Sequence, residues 1–91
     1  MKVKYTKTFA KQYDKANIKI QKTFKERLKL FSEDPRSPQL RNHLLKGTYK
    51  GYRSINITGD WRAIYREIQK EENDEIYAYF SFLGTHSQLY R

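Results

Sequence analysis

Ninety-one residues, 37% of them hydrophobic, make one small domain with no room for a second core. The absence of cysteine excludes disulfides and thiolate metal sites, and no run has the apolar length of a signal peptide or membrane span, so a cytoplasmic protein without a membrane partner is expected. The net charge of +9 is uneven, with fourteen Lys and Arg against four Asp and Glu in residues 1–50 and five against six in residues 51–91; such a balance predicts a polyanionic partner, whether RNA, DNA or an acidic protein segment.

Val3 and Tyr5 alternate with lysines in a short run that reads as a brief edge strand. Thr6 can cap a helix over about 7–16, where Phe9 and Tyr13 lie four apart on one face. Asn17 breaks it. A second helix follows over about 18–32, with Ile20, Phe24, Leu28 and Phe31 in a stripe backed by Lys19, Lys22, Lys25 and Lys29. The stripe is core packing. Asp34-Pro35-Arg36-Ser37-Pro38 ends the helix, because proline supplies no amide donor and restricts the residue before it. Residues 35–47 then read as a long loop with at most one helical turn, of a length that is uncommon in compact domains and often functional.

Three runs rich in aromatic and β-branched residues follow, at about 49–57, 60–68 and 75–83. Thr58-Gly59 joins the first two as a hairpin, and Lys70-Glu71-Glu72-Asn73-Asp74 joins the last two. The fold class is therefore α+β in the order β-α-α-β-β-β. The last three strands form an antiparallel meander and the two N-terminal helices cover one of its faces. Alternation in the middle strand puts Trp61, Ala63 and Tyr65 under the helices, and Arg62, Ile64 and Arg66 on a polar, partly open face.

The groups able to move protons or hold an anion cluster in Asn42–Asp60 and in the terminal Gly84-Thr85-His86-Ser87-Gln88-Leu89-Tyr90. Cleaving RNA by attack of the 2′-hydroxyl needs a base, an acid and positive charge on the phosphorane. Histidine suits either proton role, with an ordinary pKa near 6.5. Arginine suits the anion, since its planar fork can hold two phosphate oxygens. His43, His86, Asp60, Tyr90 and the strand arginines supply these parts with no metal or cofactor, and no ligand spacing such as HExxH occurs. Each residue has a plainer role open to it. His43 could pin its loop and His86 cap the chain end; Asp60 could bond turn amides; Arg53 and Arg66 could pair with Glu67 or Glu75; Tyr90 could be core.

His43-Leu44-Leu45-Lys46-Gly47, then Lys50-Gly51-Tyr52-Arg53, Asp60-Trp61 with Tyr65, and Gly84-Thr85-His86-Ser87-Gln88-Leu89-Tyr90 together resemble the RelE/ParE superfamily of bacterial toxins, in its YafQ-like branch. The resemblance covers essentially the whole chain. It implies the RelE-like fold and a metal-independent, ribosome-dependent endoribonuclease that cuts mRNA. It also implies neutralisation by an acidic antitoxin in a hetero-oligomeric complex, the free toxin being monomeric. By position, it puts His43, Asp60 and His86 at catalytic places of the YafQ-like branch, Tyr90 where that branch usually has phenylalanine and RelE a catalytic tyrosine, and Arg62 where RelE has an arginine at the scissile phosphate. RNA contacts are expected from Arg53, Asn56 and Arg66, from Lys46 and Lys50, and from Lys19, Lys22 and Lys25. The sequence departs from the pattern at Asn56, near which the branch carries a histidine; an amide transfers no proton at neutral pH. One concave patch is expected to hold His43, Arg53, Asn56, Asp60, Arg62, His86 and Tyr90. Two alternatives stay open on the same resemblance: a ParE-like toxin that binds DNA gyrase without cutting, and a catalytically weak RNA-binding relative.

Overall fold

The computed structural model of the chain describes residues 1–70, 72 and 74–90; Glu71 and Asn73 of the charged link, and Arg91, lie outside them. Thr6 starts the helical layer. Its hydroxyl oxygen accepts from the Phe9 amide (3.1 Å) and so caps α1 (Lys7–Lys15). Its own amide and hydroxyl donate to the Phe80 and Ser81 carbonyls at 3.0 and 3.2 Å. One residue thus begins the helix and ties it to the strand beneath. Asn17 caps α2 (Ile18–Glu33) through a 3.0 Å bond from the Ile20 amide, and Pro35 follows directly on the Asp34 C-cap.

The sheet has five strands: β1 (Lys2–Tyr5), β2 (His43–Leu44), β3 (Arg53–Asn56), β4 (Trp61–Gln69) and β5 (Ile76–Thr85). Their spatial order is β1-β5-β4-β3-β2, with β1 parallel to β5 and every other pairing antiparallel. The expected meander and its helical cover are both present. Two elements come in addition. The supposed loop 35–47 contains a single 3-10 turn (Pro38–Leu40) and then β2, which pairs at the edge of β3. The chain closes with α3 (His86–Leu89). The strand expected from residue 49 begins only at Arg53, because Gly47–Tyr49 forms another 3-10 turn.

The core under the helices is aromatic. Phe24, 3% exposed, meets Phe9, Phe80 and Tyr13 at centroid distances of 5.2, 5.7 and 5.8 Å. Phe31 meets Tyr65 and Phe80 at 5.0 and 5.5 Å. Ala63 and Tyr65 lie in this cluster and Trp61 packs against it, as the alternation in β4 requires.

The opposite face is not open at its centre. Ile64, Leu45 and Leu89 are buried there beneath Tyr49, Tyr52, Phe82 and Tyr90. A register shift lets β5 serve both sides. Ile64 pairs with Phe82 and Tyr65 with Phe80, leaving Ser81 as an extra residue on β5. Phe80 therefore faces the helices and Phe82 the other side, although they are two apart.

Truncating Phe24 to Ala removes the ring shared by both helices and β5. It should cost about 3–5 kcal/mol of unfolding free energy, whereas Lys25→Ala on the exposed side of the same turn should stay within about 0.5 kcal/mol. Urea denaturation of the two variants checks this pair of values.

Candidate active site

On the face away from α1 and α2, a cleft of about 440 Å³ is lined by Arg41, His43, Leu45, Asn56, Arg62, His86 and Tyr90. Every lining residue comes from a piece that local chemistry fixes.

His43 sits on β2 opposite Ser54 of β3. Its Nδ1 lies 2.8 Å from the Arg41 carbonyl oxygen. A carbonyl only accepts, so Nδ1 carries the hydrogen, and Nε2 is the ring atom left for proton transfer. Arg41 itself is in the left-handed region (φ 46°, ψ 46°). A non-glycine residue held there costs on the order of 1–3 kcal/mol. The segment is held by Asn42, whose side chain reaches into the sheet. Arg53 Nε donates to its Oδ1 (2.7 Å), and its Nδ2 donates to the Tyr65 hydroxyl (2.7 Å) and the Pro35 carbonyl (3.0 Å). Because arginine can only donate, this network fixes which way the amide points. Burial, the largest influence, pushes the Tyr65 phenol above its ordinary pKa, which keeps it neutral beside Asn42.

Arg62 of β4 stands opposite Asn56 of β3. Its Nη1 donates to the carbonyls of Thr58, Gly59 and Trp61 at 3.0, 3.1 and 3.1 Å. The guanidinium is thus braced by the hairpin on one nitrogen, and Nε and Nη2 have no partner among the described residues. The hairpin is closed by Thr58, whose Oγ1 accepts from the Asp60 and Trp61 amides. The Asp60 carbonyl in turn accepts from the His86 amide (2.9 Å), docking α3 on the turn. Thr85 and Gln88 form a capping box at the start of α3. The His86 ring then lies 4.8 Å from that of Tyr90. The Tyr90 hydroxyl is buried and has no hydrogen-bond partner among the described residues.

The cleft brings together His43, Asn56, Arg62, His86 and Tyr90 of the expected patch. It does not include Asp60, exposed at the hairpin tip, which acts through its backbone. Arg53 is not there either: its register partner is Tyr65, so it projects to the helix side and bonds Asn42. Arg66 is on the cleft side but farther along β4, its guanidinium 5.6 Å over the Tyr52 ring. Lys46 and Lys50 are exposed at the two ends of the Gly47–Tyr49 turn. Lys19, Lys22 and Lys25 are exposed on α2, behind the sheet. Arg41 and Leu45 are lining residues that the sequence reading missed; two residues before a loop histidine, Arg41 carries the charge but no sign of its left-handed turn. Among the described residues, no three His, Asp or Glu side chains converge on a metal position.

Over residues 1–91 the chain matches the family described as "Bacterial toxin of type II toxin-antitoxin system, YafQ". It is 39% identical over 59 residues to the putative toxin YafQ of Haemophilus influenzae, a stretch covering 65% of this chain and 56% of that relative, so the match spans under two thirds of the relative's length. The fold is similar to the crystal structure of YafQ from E. coli strain BL21(DE3), with a TM-score of 0.78 at 24% identity over 98% of this chain and 97% of that one. It is similar too to YafQ in the E. coli DinJ-YafQ complex, with a TM-score of 0.68 at 23% identity over 98% and 97% of the two chains.

Asn42→Ala leaves Arg53 Nε and the Tyr65 hydroxyl without their shared partner, which should cost about 1–3 kcal/mol. It should also release the 41–43 segment, so that the His43 ring samples both neutral tautomers. Denaturation reads the first effect and the ¹⁵N shifts of the His43 ring the second; a ring still fixed as the Nδ1–H form would show that Asn42 does not hold it.

Proposed function

The chain belongs to the YafQ family of bacterial toxins of type II toxin–antitoxin systems, and from that premise we propose that it is a ribosome-dependent endoribonuclease that cuts mRNA by attack of a 2′-hydroxyl on the adjacent phosphate. The observation that carries the reading is one cleft in which two imidazoles, two guanidiniums and a tyrosine converge. His43 is the general base, through the Nε2 that its bond to the Arg41 carbonyl leaves free. His86 is the general acid for the 5′-oxygen that departs. Arg62, with Arg41, neutralises the phosphorane, and bracing of Arg62 by three carbonyls supports it as a preorganised donor. The Tyr90 ring lines the cleft beside His86, and its buried hydroxyl, which has no partner among the described residues, would reach a phosphate oxygen only if the ring shifts on binding. Asp60, exposed and outside the lining, gives way to His43 as base. Asn56 orients the ribose or phosphate and moves no proton. No step requires a metal ion.

The partner that silences the chain is an acidic antitoxin, in a hetero-oligomeric complex; the surplus of lysine and arginine in residues 1–50 supports this, and the related E. coli toxin is seen in complex with DinJ.

Single-turnover cleavage of ribosome-bound mRNA tests the chemistry. His86→Ala should lose at least about a hundredfold, within the range for a positioned acid, whereas Asn56→Ala should change little. Wild-type rates in His86→Ala would remove the acid and the mechanism with it.

Lys19, Lys22 and Lys25 point away from the cleft, so in this reading they hold ribosomal phosphates rather than the scissile strand. Reversing all three should reduce the salt dependence of ribosome binding by about two log units per decade of salt. An unchanged slope, measured by sedimentation with ribosomes, would place the ribosomal contact elsewhere.

A further inference from the structure

We propose that the sheet beyond the cleft is a stacking platform for the same single-stranded mRNA, built on Tyr77 and Tyr79 and edged by Lys2, Lys4, Arg66 and Lys70. The inference rests on the nuclease reading and extends its substrate track.

Register settles which side these residues take. Tyr77 and Tyr79 pair with Ile68 and Arg66 of β4 and with Lys2 and Lys4 of β1. The residues between them, Ala78 and Phe80, are buried under the helices. The two tyrosines therefore project on the cleft side. Both are half-buried, and neither belongs to either apolar cluster. Among the described residues, their ring partners are each other, at 6.5 Å and 33° between planes, and the Lys70 ammonium, 5.8 Å from the Tyr77 centroid. The Tyr77 hydroxyl donates to Glu75 Oε2 (3.2 Å), which also meets Lys2 Nζ at 3.3 Å. Tyr77 is thus pinned at its tip rather than packed in a core.

The surface is continuous with the cleft. Tyr49 joins Tyr90 at 5.8 Å to Phe82 at 5.6 Å, and Arg66 lies over Tyr52 before facing Tyr79 across the ladder. From Gly84 to Tyr77, β5 runs roughly 24 Å at about 3.4 Å per residue, which gives room for several nucleotides. Aromatic rings laid on a sheet between cations are the means by which proteins hold splayed bases and the backbone beside them. An acidic peptide would use the four cations but has no use for the ring faces. That difference favours RNA.

The test is fluorescence anisotropy with two short 2′-O-methyl strands of equal length, one bearing bases and one abasic; neither has a free hydroxyl to attack. Wild type should bind the base-bearing strand more tightly. Tyr77→Leu with Tyr79→Leu should weaken that binding by about fivefold or more per ring and leave the abasic strand unaffected, while Tyr→Phe at both positions keeps the preference. Thermal melting confirms that each variant is folded, and Tyr79→Leu alone serves if the double variant is not. Equal affinity of wild type for the two strands, or an equal loss on both in the leucine variants, would overturn the platform. The nuclease reading is judged separately, by whether cleavage depends on His86. Base preference lost in the leucine variants, alongside cleavage indifferent to His86, would keep the platform and end that reading.

Discussion

One extra residue in β5 decides how both faces of this sheet are filled. β5 contacts β1 on one edge and β4 on the other, and it carries α1 on one face and α3 at its end. With strict alternation, Phe80 and Phe82 would share a side. Ser81, unpaired in the ladder, breaks the alternation between them. Phe80 then packs edge-on against Phe9, Phe24 and Phe31 and tilted against Tyr65, and Phe82 helps to roof Ile64 on the other side with Tyr49 and Tyr52. That second, smaller cluster is what α3 docks against. Leu89 is buried in it, and the Tyr49 hydroxyl donates to the Leu89 carbonyl at 2.8 Å. Burial, the largest influence, raises the Tyr49 phenol above its ordinary pKa and so preserves the donor. A β-carbon at Gly84 would stand 3.0 Å from Gln88 Oε1 and 3.3 Å from Leu89 Cγ, so the strand also leaves space for the helix to lie close.

The polar groups of the cleft hang on this frame through backbone atoms. The 57–61 hairpin offers three carbonyls to Arg62 and a fourth, from Asp60, to the His86 amide. Charge-assisted bonds of this kind orient a long side chain before any ligand arrives. The turn therefore sets the arginine and the first residue of α3 together. On the far wall, Asn42 holds the segment that contains both Arg41 and His43. The two imidazoles are thus placed by different elements, β2 and α3, and share no hydrogen bond.

Local signals in the sequence carried the frame. The Thr6 and Asn17 caps, the Ile20-Phe24-Leu28-Phe31 stripe and the side of the sheet taken by Ala63 and Tyr65 all follow from spacings within a single element. β2 left no such trace, because two residues have no periodicity and His43–Leu44 is a strand only through its pairing with β3. α3 did leave one: Thr85 and Gln88 have capping-box spacing, in a segment whose conspicuous residue is a histidine. Arg53 was misplaced by its charge. Counting by twos from the buried Ile55 and Ile57 puts it on the core side, where Asn42 receives it. The step at Ser81 could not be read at all, since nothing in Tyr79-Phe80-Ser81-Phe82 marks which residue the ladder will skip.

Asn56 changes how the proposed chemistry must be shared. It stands directly across the ladder from Arg62, so a protonated imidazole there would face a fixed guanidinium at close range. Like charges opposed in this way disfavour the protonated form. A neutral amide avoids the conflict and can still donate to or accept from a ribose or phosphate. With Asn56, the strand pair contributes one fixed cation and one uncharged hydrogen-bonding group. The proposed proton transfer is then left to the groups at the rim, His43 on the edge strand and His86 on the terminal helix, both exposed to solvent. In the proposed mechanism an amide at this position separates the two tasks of the cleft: charge stabilisation on the sheet, and acid–base work on the two elements that flank it.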